Sequence, residues 1–134
     1  MSSFTHIRTS KDNHERVVEL TRKFGFGAEN VAARVALATS LANGKRMDIN
    51  RIQNSVGKEY RTSVLFGKHV ETYVSMIAVK YGLHRTNKDI PKLIKMHIDD
   101  GIEVLHDQIS EQPGRDTMHF LFESIERSLS QLNK

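Results

Sequence analysis

Ile90, Leu93, Ile94, Ile98, Ile102, Leu105 and Ile109 recur at intervals of three, four and seven residues. That spacing puts them on one face of an α-helix. A stripe this long and this apolar needs partner helices along its length, so the chain must fold around it. The helix is expected to start near Asn87 or Lys88, with Pro91 tolerated in its first turn. Gly101 interrupts it at a cost of about 1 kcal/mol relative to Ala. A close helix crossing, where a Cβ would not fit, accounts for a glycine there.

The partners are legible on either side. Val17, Leu20, Thr21 and Phe24 form a helical face, with Val18 at its edge and Ser10 or Asp12 as N-cap; Gly25 and Gly27 end that helix. Phe26, between the glycines, is a hydrophobic anchor. A second helix is expected from Ala28 to Leu41. Val31, Val35, Ala38 and Leu41 would share one side, with Leu37 close by, and Ala32, Ala33 and Ala36 permit close packing. Asn43-Gly44 stops it. Val70, Tyr73, Val74, Ile77, Ala78 and Tyr81 make a third apolar face over 68–81, ended by Gly82. After the turn signal Pro113-Gly114, Met118, Leu121, Phe122, Ile125, Leu129 and Leu132 predict a last helix over 116–132, about 25 Å long. Residues 45–66 read as an irregular connection with one helical turn, because Asn50, Asn54, Ser55 and Gly57 break every period.

The opening Phe4-Thr5-His6-Ile7-Arg8-Thr9 favours a short strand. The expected architecture is therefore an all-α, compact bundle of about five helices with a short N-terminal strand. A strand followed by two helices is also a ribbon–helix–helix-like start, in which two chains pair their strands and the ribbon enters a DNA groove. Thr5, Ile7 and Thr9, or the opposite face of the ribbon, would then read bases in a transcriptional regulator; a further alternative is an assembly adaptor that does not bind DNA and docks a partner through its C-terminal helix. The chain divides into a domain over 1–110 and a C-terminal helical extension over 111–134.

At 134 residues the chain suits one domain. It contains no cysteine, which excludes thiol nucleophiles, Fe–S clusters and Cys-based zinc sites. No segment has the roughly twenty apolar residues that cross a bilayer, and no apolar signal stretch opens the chain. A cytoplasmic protein is expected. Phosphate-loop, dinucleotide and HExxH patterns are absent, and no serine sits in GxSxG or SxxK. The seven histidines form no compact ligand set. His97, Asp99, Asp100, Glu103, His106 and Asp107 read as the solvated side of an apolar helix. The expectation is no enzyme, no cofactor and no metal.

Charge gives a more pointed signal. Twenty Lys and Arg face sixteen Asp and Glu, a net +4. Residues 1–60 hold ten of the cations against six acids, so the whole excess lies there. Such an excess suits an anionic partner. Arg8, Lys11, Arg16, Arg22, Lys23 and Arg34 lie in the strand–helix–helix section, and Lys45, Arg46, Arg51, Lys58 and Arg61 crowd the connection after it. Phosphate contacts need positive donors more than a base-reading code.

Three blocks carry a resemblance. Gly57-Lys58-Glu59-Tyr60-Arg61-Thr62-Ser63-Val64-Leu65-Phe66-Gly67 resembles the G-K-E-[FY]-x-R-x-T-L-x-G-like block of the DndE family, small proteins of bacterial DNA phosphorothioate modification. Here Arg61 and Thr62 follow Tyr60 directly, a slip against that pattern. His6-Ile7-Arg8-Thr9-Ser10 leads to Asn30-Val31-Ala32-Ala33-Arg34-Val35-Ala36-Leu37, similar to the family's N-I-L-C-R-I-A stretch, with Ala33 where Cys is usual. His97-Ile98-Asp99-Asp100-Gly101-Ile102-Glu103-Val104-Leu105 resembles its H-I-x-x-G-I-E-x-L helix. The likeness spans roughly 5–109; the stretch from about 111 onwards lies beyond it.

The resemblance implies a homotetrameric helical protein that binds double-stranded DNA, preferring nicked duplex. It would act beside the other DNA phosphorothioate modification proteins, which supply the sulfur chemistry. A chain without cysteine suits that accessory role. The DNA-binding residues expected are Arg8, Lys11, Arg16, Arg22, Lys23, Arg34, Lys45, Arg46, Lys58 and Arg61. Arg34, Lys58 and Arg61 lie in family-like blocks, where arginines would bridge phosphates or hold subunits together. Glu59 suits a salt bridge or a helix cap.

Overall fold

The computed structural model describes residues 4–111. The helix expected over 116–132 lies outside them. In order, the elements are β1 (His6–Arg8), α1 (Lys11–Phe24), α2 (Glu29–Ala42), β2 (Glu59–Arg61), the one-turn α3 (Thr62–Leu65), α4 (Val70–Tyr81) and α5 (Ile90–Glu111). The fold is an all-α bundle of about five helices with a short pair of strands.

The long apolar stripe is the centre. Ile90, Leu93, Ile94, Ile98, Ile102 and Leu105 are buried, with Ile109 packed at the edge. Helix α5 begins at Ile90, slightly later than the sequence suggests, after a turn in which the Ile90 N–H donates to Asn87 O. Pro91 occupies its first turn, where the lost N–H has no intrahelical partner to miss. Helices α1 and α4 end at Gly25 and Gly82, whose φ of 65° and 64° few other residues adopt readily.

Against α5 lies α2, and its buried side is not the valine side. Ala32, Ala33, Ala36, Leu37 and Ser40 are fully buried. Val31, Val35, Ala38 and Leu41 are only partly covered. The reason is the crossing: a Cβ on Gly101 would overlap the Ala36 carbonyl. Helices this close need small residues between them, so the alanines take the core position.

The acidic run is not a solvated face either. Asp99 is 1% exposed. Its Oδ1 accepts from the Ser10 backbone N–H at 3.0 Å and from Asn13 Nδ2 at 2.8 Å. Its Oδ2 accepts from Lys95 Nζ at 2.6 Å. Ser10 is the N-cap residue of α1, but its side chain makes no capping bond. A carboxylate from α5 instead stands at the start of α1, where the helix dipole favours negative charge.

The connection over 45–66 is more ordered than its sequence suggests. It holds a 3-10 turn at Ile49–Arg51, then β2 and α3. β2 pairs antiparallel with β1, with His6 opposite Arg61, Ile7 opposite Tyr60 and Arg8 opposite Glu59. Ile7 and Tyr60 face the core; the other four residues are exposed. The second strand of the ribbon thus comes from the same chain, where a ribbon–helix–helix start expects it from a second copy.

Candidate nucleic-acid interface

The ribbon and its continuation bring two distant stretches side by side. Thr62 N–H donates to Thr5 O at 2.9 Å, Thr9 N–H to Lys58 O at 3.0 Å and Gly57 N–H to Thr9 O at 3.0 Å. Beyond them the Lys11 N–H donates to Asn54 Oδ1 at 2.9 Å. A Cβ on Gly57 would run into the Ser10 backbone, so the two stretches meet this closely only through a glycine. The resulting strip over 5–11 and 54–62 carries Arg8, Lys58 and Arg61 with Glu59 among them, and Lys11 at its end, where it shares a surface pocket with Asp12, Glu15, Arg16 and Glu19. Arg8 pairs with Glu59 at 3.0 Å, which draws the Glu59 carboxyl below the usual carboxylate range. Among the described residues Arg61 has no ion pair.

The other six expected cations lie elsewhere. Arg16, half-buried on α1, donates to Asn13 Oδ1 at 3.0 Å. Arg22 and Lys23 are exposed in the last turn of α1, with Lys23 paired to Glu19 at 3.2 Å. Arg34 reaches from α2 to Leu65 O at 3.1 Å and so ties α2 to α3. Lys45 pairs with Asp100 at 3.1 Å. Arg46 donates to Lys80 O at 2.7 Å and stacks 4.7 Å above the Tyr81 ring. The structure therefore gathers four of the ten in one strip and leaves the rest on α1, α2 and the loop after α2.

Below Lys45 and Arg46 lies a polar chain, buried at His97 and Ser40, that sequence reasoning misses. His97, read from the sequence as solvent-facing, is 0% exposed. Its Nε2 lies 2.7 Å from Tyr81 Oη and its Nδ1 lies 2.8 Å from Ser40 Oγ. Ser40 Oγ donates to Asp100 Oδ2 at 2.7 Å, and Tyr81 Oη accepts from the Met47 N–H at 2.7 Å. Burial, and secondarily the Lys80 charge, lowers His97 from the ordinary value to about 4. Burial likewise raises the Tyr81 phenol. The signal in the sequence is His97 one turn before Gly101, on the tightly packed side of α5.

Along α4 an open groove of about 710 Å³ is lined by Leu41, Thr72, Ser75, Met76 and Val79, with Glu71 and Lys80. Val79 there is 83% exposed. No group of His, Asp or Glu that could hold a metal ion occurs among the described residues. None of the described helices is long and apolar enough to cross a membrane.

Comparison with known proteins bears on the fold and the family. A search of curated protein sequences gives no significant match. Among solved structures, the chain is similar to DndE from Escherichia coli B7A, described as involved in DNA phosphorothioation modification. The TM-score is 0.62 at 19% identity, covering 76% of this chain and 97% of that one. A DndE mutant with two glycine-to-lysine substitutions, described as involved in DNA phosphorothioation, gives the same TM-score and coverage at 20% identity. At such identities the likeness establishes a shared fold. The sequence model of the family described as DNA sulphur modification protein DndE matches residues 6–112, most of the chain. The chain belongs to the DndE family of DNA phosphorothioation components.

Proposed function

We propose that this protein is the DNA-handling component of a phosphorothioation system. It binds the sugar–phosphate backbone of duplex DNA, with nicked duplex favoured, while partner proteins carry out the sulfur transfer. The observation that carries this reading is the strip of Arg8, Lys11, Lys58 and Arg61, assembled by backbone bonds between stretches some fifty residues apart. Four cations along one strip suit phosphate contacts, which need positive donors more than a base-reading code. Arg22, Lys23, Lys45 and Arg46 would extend the footprint, and Arg16 and Arg34 support it from partly buried positions.

Binding through four phosphates gives a slope of log affinity on log salt of roughly −3 to −4 for each protomer. A salt titration by fluorescence anisotropy, on nicked and intact duplexes of one sequence, tests the reading. Arg61→Glu should weaken binding at low salt and flatten the slope. A flat salt response in the unmodified protein overturns it.

The protein works as a homo-oligomer, and a tetramer would multiply the basic strip fourfold. Support for assembly comes from the apolar groove of Leu41, Met76 and Val79, an exposed face that a second copy would cover.

A further inference from the structure

We propose that Tyr81 is the positioning residue of the segment Lys45–Met47, and that His97, Ser40 and Asp100 set its orientation through a one-way chain of hydrogen bonds. The direction follows from the inventory of protons. A carboxylate can only accept, so the Ser40 hydroxyl gives its single proton to Asp100 Oδ2. Ser40 Oγ is then an acceptor, and the atom facing it, His97 Nδ1, carries a hydrogen. A neutral imidazole has one donor and one acceptor, which makes Nε2 the acceptor. Tyr81 Oη therefore donates to Nε2 and is left with lone pairs for the Met47 N–H.

Every proton in the chain Met47, Tyr81, His97, Ser40, Asp100 has one place, so the Tyr81 side chain has one orientation. The same ring lies under the Arg46 guanidinium at 4.7 Å, and Lys45 closes on the far end of the chain at Asp100. Two cations and the backbone between them and α4 are thus referenced to one network centred on the buried His97 and Ser40. A loop segment gains fixed geometry this way without being buried itself, as a binding group requires. The importance of this segment for DNA rests on the reading of Lys45 and Arg46 as phosphate contacts; the positioning by Tyr81 does not.

The experiment compares the whole protein with Tyr81→Phe and Ser40→Ala, using ¹⁵N-detected NMR of the histidine rings and exchange of the Met47 amide. In the unmodified protein His97 should show the Nδ1–H tautomer. Tyr81→Phe keeps the ring and removes the hydroxyl, and the Met47 amide should exchange about five- to tenfold faster. Ser40→Ala should leave Tyr81 in place and abolish the single-tautomer signature, a spectroscopic change that loss of stability alone does not produce. An Nε2–H tautomer in the unmodified protein, or Met47 exchange unchanged by Tyr81→Phe, overturns the proposal. Duplex affinity of a Lys45→Ala, Arg46→Ala double variant is read separately. Unchanged affinity there, with Met47 exchange accelerated in Tyr81→Phe, removes the segment from the DNA site and upholds the positioning role.

Discussion

Gly101 of α5 and Ala36 of α2 meet backbone to backbone, with no room for a Cβ between them. This contact sets the spacing of the two helices at the centre of the bundle. Gly101→Ala gains helix propensity, about 1 kcal/mol, but forces the helices apart. The overlap is with a carbonyl, which cannot turn away as a side chain would. A net destabilisation of about 2 kcal/mol is expected, read as a lower urea midpoint. An unchanged or raised midpoint would show that the helices separate freely.

Asp99 and Lys95 form a buried ion pair whose carboxylate also holds Ser10 and Asn13. Asp99→Ala strands the Lys95 ammonium and frees two donors. A loss of about 3–5 kcal/mol is expected, enough to unfold a marginal domain at room temperature. The combined Lys95→Met, Asp99→Leu variant removes both charges and should recover part of that loss. Chemical denaturation of the two variants side by side measures the difference.

How much of this was legible in the chain varies with the range of the interaction. Helices α1, α4 and α5 announce themselves through local periodicity and glycine stops, and the structure keeps all three. The buried side of α2 does not, because the choice of alanines over valines depends on Gly101, sixty-five residues away. Strand β2 is only Glu59–Arg61, too short to declare itself; the apolar Tyr60 between two charges is the trace it leaves. Asp99 reads as solvated because acids in a run normally are, and two of its partners sit more than eighty residues earlier. The basic residues are legible one by one. That Arg8 and Lys11 share a strip with Lys58 and Arg61 is visible only once the ribbon closes.

His97 makes stability depend on pH in a defined window. Its folded value of about 4 lies below the ordinary 6.5, so the unfolded chain takes up a proton that the folded one refuses. The contribution is fully present above about pH 6.5 and falls as the pH drops towards 4, where it levels off. The loss should be on the order of 1 kcal/mol per pH unit across that range. Urea denaturation at stepped pH checks it. His97→Gln should show a shallower decline than the unmodified protein, and parallel curves would show that imidazole burial has no such cost.

Glu59 is the one acid on the basic strip, held at Arg8. A carboxylate there repels phosphate and occupies a guanidinium that could otherwise face it. Glu59→Gln should therefore tighten duplex binding severalfold at low salt, an effect that fades as salt is added. Binding weakened by the substitution, in a folded protein, would place the DNA on another face.

Val79 stands in the apolar groove beside Met76 and Leu41. Val79→Glu puts a charge where a second copy would pack. Light scattering should report a lower oligomeric mass with the circular dichroism of the helices retained. An unchanged mass would move the subunit contact away from this groove.

The first helix starts at a carboxylate supplied by residue 99. During synthesis the Ser10 amide and Asn13 side chain emerge from the ribosome long before their acceptor exists. The start of α1 gains that acceptor only once most of α5 has been made, whereas the strand ahead of it finds its partner β2 by residue 61. The amino-terminal sixty residues hold the whole net positive charge, yet cut out as a small basic module they would lack the carboxylate at the start of α1. That contact closes only when the last described helix arrives.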